Sequence, residues 1–293
     1  METDPRIFYL IDNYIFCSIS SSCPAVFDLI VNNKNAVTLE NIPVRNAKQI
    51  LKKTRVRIDT KEHRECVPYL RFRLMITEFI LEILHGNRSL DISIILAAMA
   101  AKKISDVAES NANEIPKIIN TYRTQLTQAS TSRAVDSIEP NLRLKFIIVN
   151  NLMVKYLEDL EADVNISVLH DGENVILANY ERGKEEFDKV FAGREWAMRN
   201  IAENMFLDVF YHLNIVQDTF FDIFAYFTAC VATVQVFAQA IGFASKDIER
   251  DFIKAVAHLS RGMSHNKTVA SKVVEEMKSL GLTTPAHLAI IIK

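Results

Sequence analysis

The feature that most constrains the fold of this 293-residue chain is its scarcity of residues that break helices. The chain has seven glycines, with none before Gly86 and none between Gly86 and Gly172, and it has no proline between Pro140 and Pro285. Glycine and proline are the usual helix breakers and turn formers, so long stretches without them favour long helices. All-β sandwiches and barrels need frequent turn residues. The sequence therefore predicts a mainly α fold.

Two segments carry a β pattern instead. Near the N-terminus, runs of aromatic and β-branched residues flank Asp12-Asn13, which predicts a hairpin within a small N-terminal β element. Over residues 164–180, two alternating runs flank Asp171-Gly172, which predicts a second hairpin. Between and after these segments, apolar residues recur at helical spacing. The predicted fold class is a two-lobed helical bundle with these two β additions.

A polar, proline-closed stretch from Ser130 to Pro140 is the best candidate for a linker. It divides the chain into three predicted regions. Residues 1–60 form a mixed β and irregular N-terminal segment, residues 61–130 form an N-terminal helical lobe, and residues 131–293 form a C-terminal helical lobe with the inserted hairpin.

The run from Thr219 to Ala244 is apolar and long enough to span a bilayer. It also contains Asp222, Gln235 and Gln239, which are costly to place in lipid. A helix buried on all sides in a protein core has the same composition. We therefore predict a core helix here, ended by Gly242, and no membrane span.

Composition indicates a folded protein of the cytoplasm. Apolar residues make up 49% of the chain and charged residues 24%, which is typical of globular domains. Its four cysteines are few and scattered, as expected of reduced thiols. The N-terminus has no basic region and carries Asp12 within its apolar part, so it does not resemble a signal peptide.

The chain lacks the common enzyme motifs GxGxxG, GxxxxGK[ST], GxSxG, HExxH and CxxC. We accordingly predict neither an enzyme nor a cofactor. Cys17, Cys23, His63 and Cys66 have the chemistry of zinc ligands, but their spacing is irregular, and ordinary thiols are the preferred interpretation.

A second polar grouping lies on the helix predicted over residues 194–213, which carries Glu203, Asp208 and His212. Asp208 and His212 are four residues apart and so share a helix face, where a metal or acid–base role is conceivable. A simple ion pair between the carboxylate and the imidazole is the preferred interpretation, and the sequence predicts no metal site.

The strongest asymmetry of the sequence is electrostatic. The stretch Arg45–Arg73 has a net charge of +7 in a chain of net charge −2. Guanidinium groups beside aromatic rings are typical of single-stranded nucleic-acid sites, whereas a solvated basic face is the alternative. The predicted nucleic-acid-binding residues are Arg45, Lys48, Lys52, Lys53, Arg55, Arg57, Lys61, Arg64, Tyr69, Arg71, Arg73, Arg123 and Arg143.

In architecture alone, two helical lobes around a basic cleft resemble the nucleoproteins and core or capsid proteins of RNA viruses. This resemblance implies a non-enzymatic, self-assembling protein that contacts single-stranded RNA in the cytoplasm or in a virion. The alternative is a helical adaptor that binds only proteins. The apolar tail, residues 282–293, either packs on the chain's own core or inserts into a second copy as a homo-oligomer contact.

Overall fold

The computed structural model is mainly helical, as the sequence predicted. It describes residues 6–11, 14–19, 24–38, 56–58, 67–126, 138, 141–153, 173–212, 219–264 and 267–293.

Three short strands form a small sheet near the N-terminus. Strand β1 (Arg6–Ile11) pairs antiparallel with β2 (Tyr14–Ile19), and Arg6 lies opposite Ile19. Strand β3 (Val56–Ile58) adds to the other edge of β1 in parallel, which gives the order β2-β1-β3. Asp12 and Asn13, between β1 and β2, lie outside the described residues.

The helices account for most of the described chain, and short 3₁₀ turns at Pro68–Phe72 and Ala112–Glu114 precede two of them. The α-helices are α1 (Pro24–Asn32), α2 (Arg73–Leu84), α3 (Leu90–Asn111), α4 (Ile115–Leu126), α5 (Leu142–Leu152), α6 (Glu173–Val190), α7 (Trp196–His212), α8 (Phe220–Ala244), α9 (Ile248–Ser264), α10 (Lys267–Ser279) and α11 (Pro285–Ile292).

Helix α8 is the centre of the core. A capping box starts it, because the Thr219 hydroxyl accepts from the Asp222 amide while the Asp222 carboxylate accepts from the Thr219 amide. The helix packs against α3, α6, α7, α9 and α11. It is long and apolar enough to cross a membrane, but 94% of its most apolar window is buried inside the protein. It is therefore the core helix that the sequence predicted.

The hairpin predicted over residues 164–180 is wrong for its second half, because residues 173–180 form the start of α6. Residues 164–172 lie outside the described part of the chain. Downstream of the Asp171-Gly172 signal, Tyr180, Phe187 and Phe191 recur at helical spacing and are buried. Packing of this face against α8 favours a helix over the strand predicted for residues 173–180.

The predicted role of Gly242 as a helix stop is also wrong, since α8 continues through it to Ala244. Gly242 instead faces Gly183 of α6. A Cβ atom added to Gly242 would lie 2.9 Å from the Gly183 carbonyl carbon, and one added to Gly183 would lie 2.9 Å from the Phe243 amide nitrogen. Both glycines therefore permit a close approach of two helix backbones.

Helix α11 begins as predicted, with Thr284 as its N-cap and Pro285 in its first turn. Leu288, Ala289, Ile291 and Ile292 are buried, and the helix packs on α3, α5 and α8. Of the two alternatives predicted for the apolar tail, packing on the chain's own core is therefore the one observed. Self-association through the tail stays a prediction from sequence.

Helices from both sides of the predicted boundary at residues 130/131 pack together. Helix α3 contacts α8 and α11, and the buried apolar residues form one continuous cluster that includes both predicted lobes. The division into three regions stays a prediction from sequence.

Lys145 on α5 ties the C-terminal helix to the core. Its buried ammonium donates to Gln235 Oε1 at 2.6 Å and to the carbonyl oxygen of Ile292 at 2.8 Å. Burial lowers the pKa of Lys145 from 10.5 to about 7; Asp91 opposes this effect, and Lys184 adds to it. The amine is consequently easier to protonate in the unfolded chain than in the folded one.

This difference predicts a pH dependence of stability. Between pH 7 and 10.5 the unfolded chain binds the Lys145 proton and the folded chain does not, so this residue's contribution to the unfolding free energy rises with pH. The measured quantity is the difference in unfolding free energy between the unmodified protein and Lys145→Met. We expect this difference to increase across the window by up to about 1.4 kcal/mol per pH unit. Urea unfolding of both proteins at several pH values measures it, and a constant difference would contradict the prediction.

Candidate active site

The outer face of α2 carries a row of polar side chains. Glu78 and Glu82 are one turn apart, and His85 follows the helix at the next turn, so all three project from the same side. They are exposed, whereas the apolar side chains on the opposite face are buried in the core, among them Ile76 and Ile80. Because the opposite face of α2 is buried, the row of polar side chains lies at the protein surface.

Helix α7 packs beside α2 and is held there by side-chain contacts. The Thr77 hydroxyl lies 2.7 Å from the hydroxyl of Tyr211, and the Arg73 guanidinium donates to the carbonyl oxygen of Phe210. One of the last carbonyls of α7 is thereby satisfied by a cation at the negative end of the helix. These contacts set the register of the two helices.

That register brings Glu203 of α7 to His85. The imidazole Nδ1 lies 3.2 Å from Glu203 Oε1. The Glu203 side chain is 2% exposed and the His85 side chain is 61% exposed. The contact therefore joins a buried carboxylate to a ring that is open to solvent.

The loop after α1 forms a third side of the site, next to α2 and α7. Asn200, one turn before Glu203 on α7, donates to the carbonyl oxygens of Ile30 at 3.0 Å and Asn33 at 2.8 Å. Arg194 adds a bond from its guanidinium to the side chain of Asn32 at 2.9 Å. Both contacts hold the end of α1 and its loop against α7.

These elements enclose a cavity of about 410 Å³, which we call the acidic cavity. It is lined by Asn35, Val37, Thr38, Glu78, Leu81, Glu82, His85 and Glu203.

The electrostatics of the acidic cavity favour a cation. Burial raises the pKa of Glu203 to about 7, although His85 and Arg199 both act to lower it. Glu82 pairs with Arg123 at 2.8 Å, and Glu78 adds a further carboxylate at the surface. Such a site can receive an ammonium group, and the buried carboxylate can exchange a proton near neutral pH.

Two of the predicted nucleic-acid-binding residues are instead parts of the core, and this corrects their assignment. Tyr69 is 4% exposed and lies against the rings of Phe210 and Phe220. Arg73 is 3% exposed, and its guanidinium carbon lies 4.6 Å from the ring centroid of Tyr211. Neither side chain is accessible to a phosphate or a base.

Three other predicted binding residues have side chains in the described part of the chain. Arg71 and Arg143 are exposed, and Arg123 is paired with Glu82 at the edge of the acidic cavity. Arg57 lies in β3, and its side chain is outside the description. The remaining basic residues lie outside the described residues; they are Arg45, Lys48, Lys52, Lys53, Arg55, Lys61 and Arg64.

The two possible groups of metal ligands named from the sequence lie wholly or partly outside the described residues. Cys23, His63 and Cys66 lie outside the described residues, as does the side chain of Cys17 in β2. Among the residues that the structure describes, no group of three or more potential metal ligands occurs. Asp208 is fully buried, and the side chain of His212 is outside the description.

A second cavity, of about 500 Å³, lies between α3, α4 and α11. Its lining is mostly apolar and includes Ile95, Met99 and Ala289. At its rim, Lys102 pairs with Asp106 of the next turn. This exposed pair satisfies its own charges, and Lys103 and Tyr122 also line the cavity.

Comparison with known proteins identifies the family. Residues 77–291 match the family model described as the FliB lysine N-methylase C-terminal domain. The chain belongs to this family. The match covers most of the sequence and includes Glu78, Glu82, His85 and Glu203, whereas the whole basic stretch, Arg45–Arg73, precedes it. No curated protein and no solved structure shows a significant match.

The family match corrects the function predicted from the sequence. It points to an enzyme that modifies lysine, so the predictions of a non-enzymatic, self-assembling RNA-binding protein and of its adaptor alternative are wrong. The nucleoprotein, capsid and virion assignments are wrong for the same reason. The basic stretch on which they depend, Arg45–Arg73, lies wholly outside the matched domain.

Sequence reasoning missed most of the acidic cavity. The sequence singles out Glu203 only together with Asp208 and His212 on α7, and no motif singles out the row formed by Glu78, Glu82 and His85. The sequence signal of this row is a polar stripe within an apolar helix, at positions i, i+4 and i+7. An ordinary solvated helix face has the same pattern, and only the position of α7 distinguishes the two.

Proposed function

We propose that this chain acts in the N-methylation of protein lysines and that the acidic cavity receives the substrate lysine. The observation that carries the proposal is the buried carboxylate of Glu203, which lies beside Glu78 and Glu82 within the segment matched by the lysine N-methylase family. Lysine is a cation on a flexible stem, and carboxylates are its usual partners in proteins.

The lining fits both parts of a lysine side chain. Val37 and Leu81 offer apolar surface to the four methylene groups, and the carboxylates of Glu78 and Glu203 accept from the ammonium group. Glu82 is held by Arg123, so it contributes less negative charge than the other two. The arrangement favours a single cationic side chain that enters from the surface of α2.

The predicted cytoplasmic location accords with this role. Cys230 is a buried free thiol, as expected in a reducing compartment. We propose that lysines are modified there.

A direct test is the binding of a short peptide with a single lysine to the full chain. We expect binding of the unmodified peptide, and at least tenfold weaker binding of the same peptide acetylated on lysine, because acetylation removes the charge. The double variant Glu78→Gln/Glu203→Gln should weaken binding of the lysine peptide by about tenfold or more, equivalent to about 1.4 kcal/mol. Isothermal titration calorimetry measures both.

Glu185→Gln supplies the matched control, because Glu185 is an exposed carboxylate on α6 that does not line the acidic cavity. It removes the same charge and should leave the affinity unchanged. Equal affinity for the lysine and acetyllysine peptides would contradict the proposed binding mode, as would equal losses in the cavity variant and the control.

A further inference from the structure

We propose that Glu203 removes the proton that a lysine ammonium must lose before methylation, and that His85 passes this proton to solvent. This inference rests on the proposed function. It assigns roles to two side chains of the acidic cavity that a binding site alone does not need.

The chemistry of N-methylation creates the need for a base. A lysine amine has a pKa of about 10.4 in water, so it is almost entirely protonated at neutral pH and its nitrogen has no lone pair to donate. A sulfonium methyl donor supplies the methyl group as an electrophile. The new C–N bond forms as the C–S bond breaks, and the electron pair of the C–S bond leaves on sulfur.

Glu203 is placed to accept the proton. Its carboxylate lines the acidic cavity and is 2% exposed, so an ammonium bound there meets a carboxylate that water does not screen. One N–H bond of the ammonium breaks, its proton moves to a Glu203 oxygen, and the nitrogen keeps the electron pair. Glu203 becomes neutral and the amine becomes nucleophilic.

His85 provides the exit. Its Nδ1 is 3.2 Å from Glu203 Oε1, and its side chain is 61% exposed. The ring takes the proton from Glu203 on one side and loses it to water from the other, which restores the carboxylate for the next turnover.

The charges that face Glu203 agree with a base that works near neutral pH. Burial raises its pKa to about 7, and the opposing influences are His85 and Arg199. Glu78 and Glu82 face the same cavity from α2, with Glu82 paired to Arg123. A general base is most effective when its pKa lies near the working pH.

The test is the pH profile of methyl transfer from S-adenosylmethionine to the single-lysine peptide, between pH 7.5 and 9.5. The unmodified protein should be nearly independent of pH here, because the base is ionised and the lysine is still protonated. Glu203→Gln should be at least a hundredfold slower at pH 7.5. Its rate should rise about tenfold per pH unit, because it depends on the small fraction of free amine. The deficit should therefore shrink as the pH rises.

His85→Gln tests the exit separately. It keeps a hydrogen-bonding group beside Glu203 but cannot carry a proton. We expect about a tenfold loss of kcat with little change in KM, and recovery when imidazole is added to the buffer. Glu185→Gln should follow the unmodified protein throughout, and circular dichroism should show that all variants are folded.

The outcomes separate this inference from the proposed function. Suppose that the unmodified protein transfers methyl groups and that its pH profile runs parallel to that of Glu203→Gln. Glu203 would then only bind lysine, and its proposed role as a base would be overturned. A His85→Gln variant as fast as the unmodified protein would overturn the exit path. Absence of both peptide binding and methyl transfer in the unmodified protein would contradict the proposed function itself.

Discussion

We expect Gly183→Ala and Gly242→Ala each to lower the unfolding free energy strongly, although each substitution adds only one methyl group. The two glycines lie where α6 and α8 cross, and a Cβ atom at either position meets backbone atoms of the other helix. Backbone atoms cannot rotate away as a side chain does, so the helices must separate. Separation would disturb the packing of Phe187, which lies beside the crossing.

The expected cost is about 3 kcal/mol for each substitution, at the upper end of the range for overpacked cores. Alanine favours a helix over glycine by about 1 kcal/mol, and this gain offsets only part of the cost. Because a whole domain is stable by only about 5–15 kcal/mol, the variants should unfold at clearly lower denaturant concentrations. Urea unfolding followed by circular dichroism measures the difference.

Gly193→Asn is the control for this experiment. Gly193 has a φ of +73°, and a Cβ atom there would meet no atom within 4 Å. Asparagine tolerates this backbone conformation better than most residues, so the change should cost little. If Gly183→Ala and Gly242→Ala were as stable as this control or more so, α6 and α8 would not cross at these glycines.

The helical class of the fold could be predicted because it depends on local composition. The rarity of glycine and proline predicts long helices, and Thr284-Pro285 predicts the start of α11 from capping alone. In the same way, polar residues within an apolar run distinguish the core helix α8 from a membrane span. These features need no knowledge of distant parts of the chain.

The errors arose where distant parts of the chain decide the structure. Gly242 resembles a helix stop in sequence, and it becomes a packing residue only because Gly183 lies against it. Asp171-Gly172 resembles a hairpin turn, but the residues that follow form α6. Tyr180 and Phe187 are buried on this helix, which packs on α8. Arg73 resembles a phosphate ligand, but its partner is the carbonyl oxygen of Phe210 at the end of α7.

The acidic cavity was unpredictable for the same reason. Its carboxylates come from α2 and α7, which are more than a hundred residues apart in sequence, with His85 and Glu203 separated by 118 positions. Neither helix carries a recognisable motif. The contacts of Arg73 and Thr77 with the end of α7 create the register that joins the two halves of the site.

If this chain methylates lysines through the acidic cavity, as we propose, lysine methylation in the living cell depends on Glu203. We expect that deleting the gene from its native host removes methyl groups from specific protein lysines. Reintroducing the unmodified chain or Glu185→Gln should restore them, whereas Glu203→Gln should leave those lysines unmethylated. Immunoblots should show equal amounts of all three proteins, so that loss of the modification reflects loss of chemistry.

The measurement is quantitative mass spectrometry of lysine methylation across the proteome of these four strains. We expect one set of methyl-lysine sites to disappear in the deletion strain, to return with the unmodified chain and the control, and to stay absent with Glu203→Gln. Full restoration by Glu203→Gln would contradict the role of the acidic cavity. A lysine methylation pattern that does not change on deletion would contradict the proposed function.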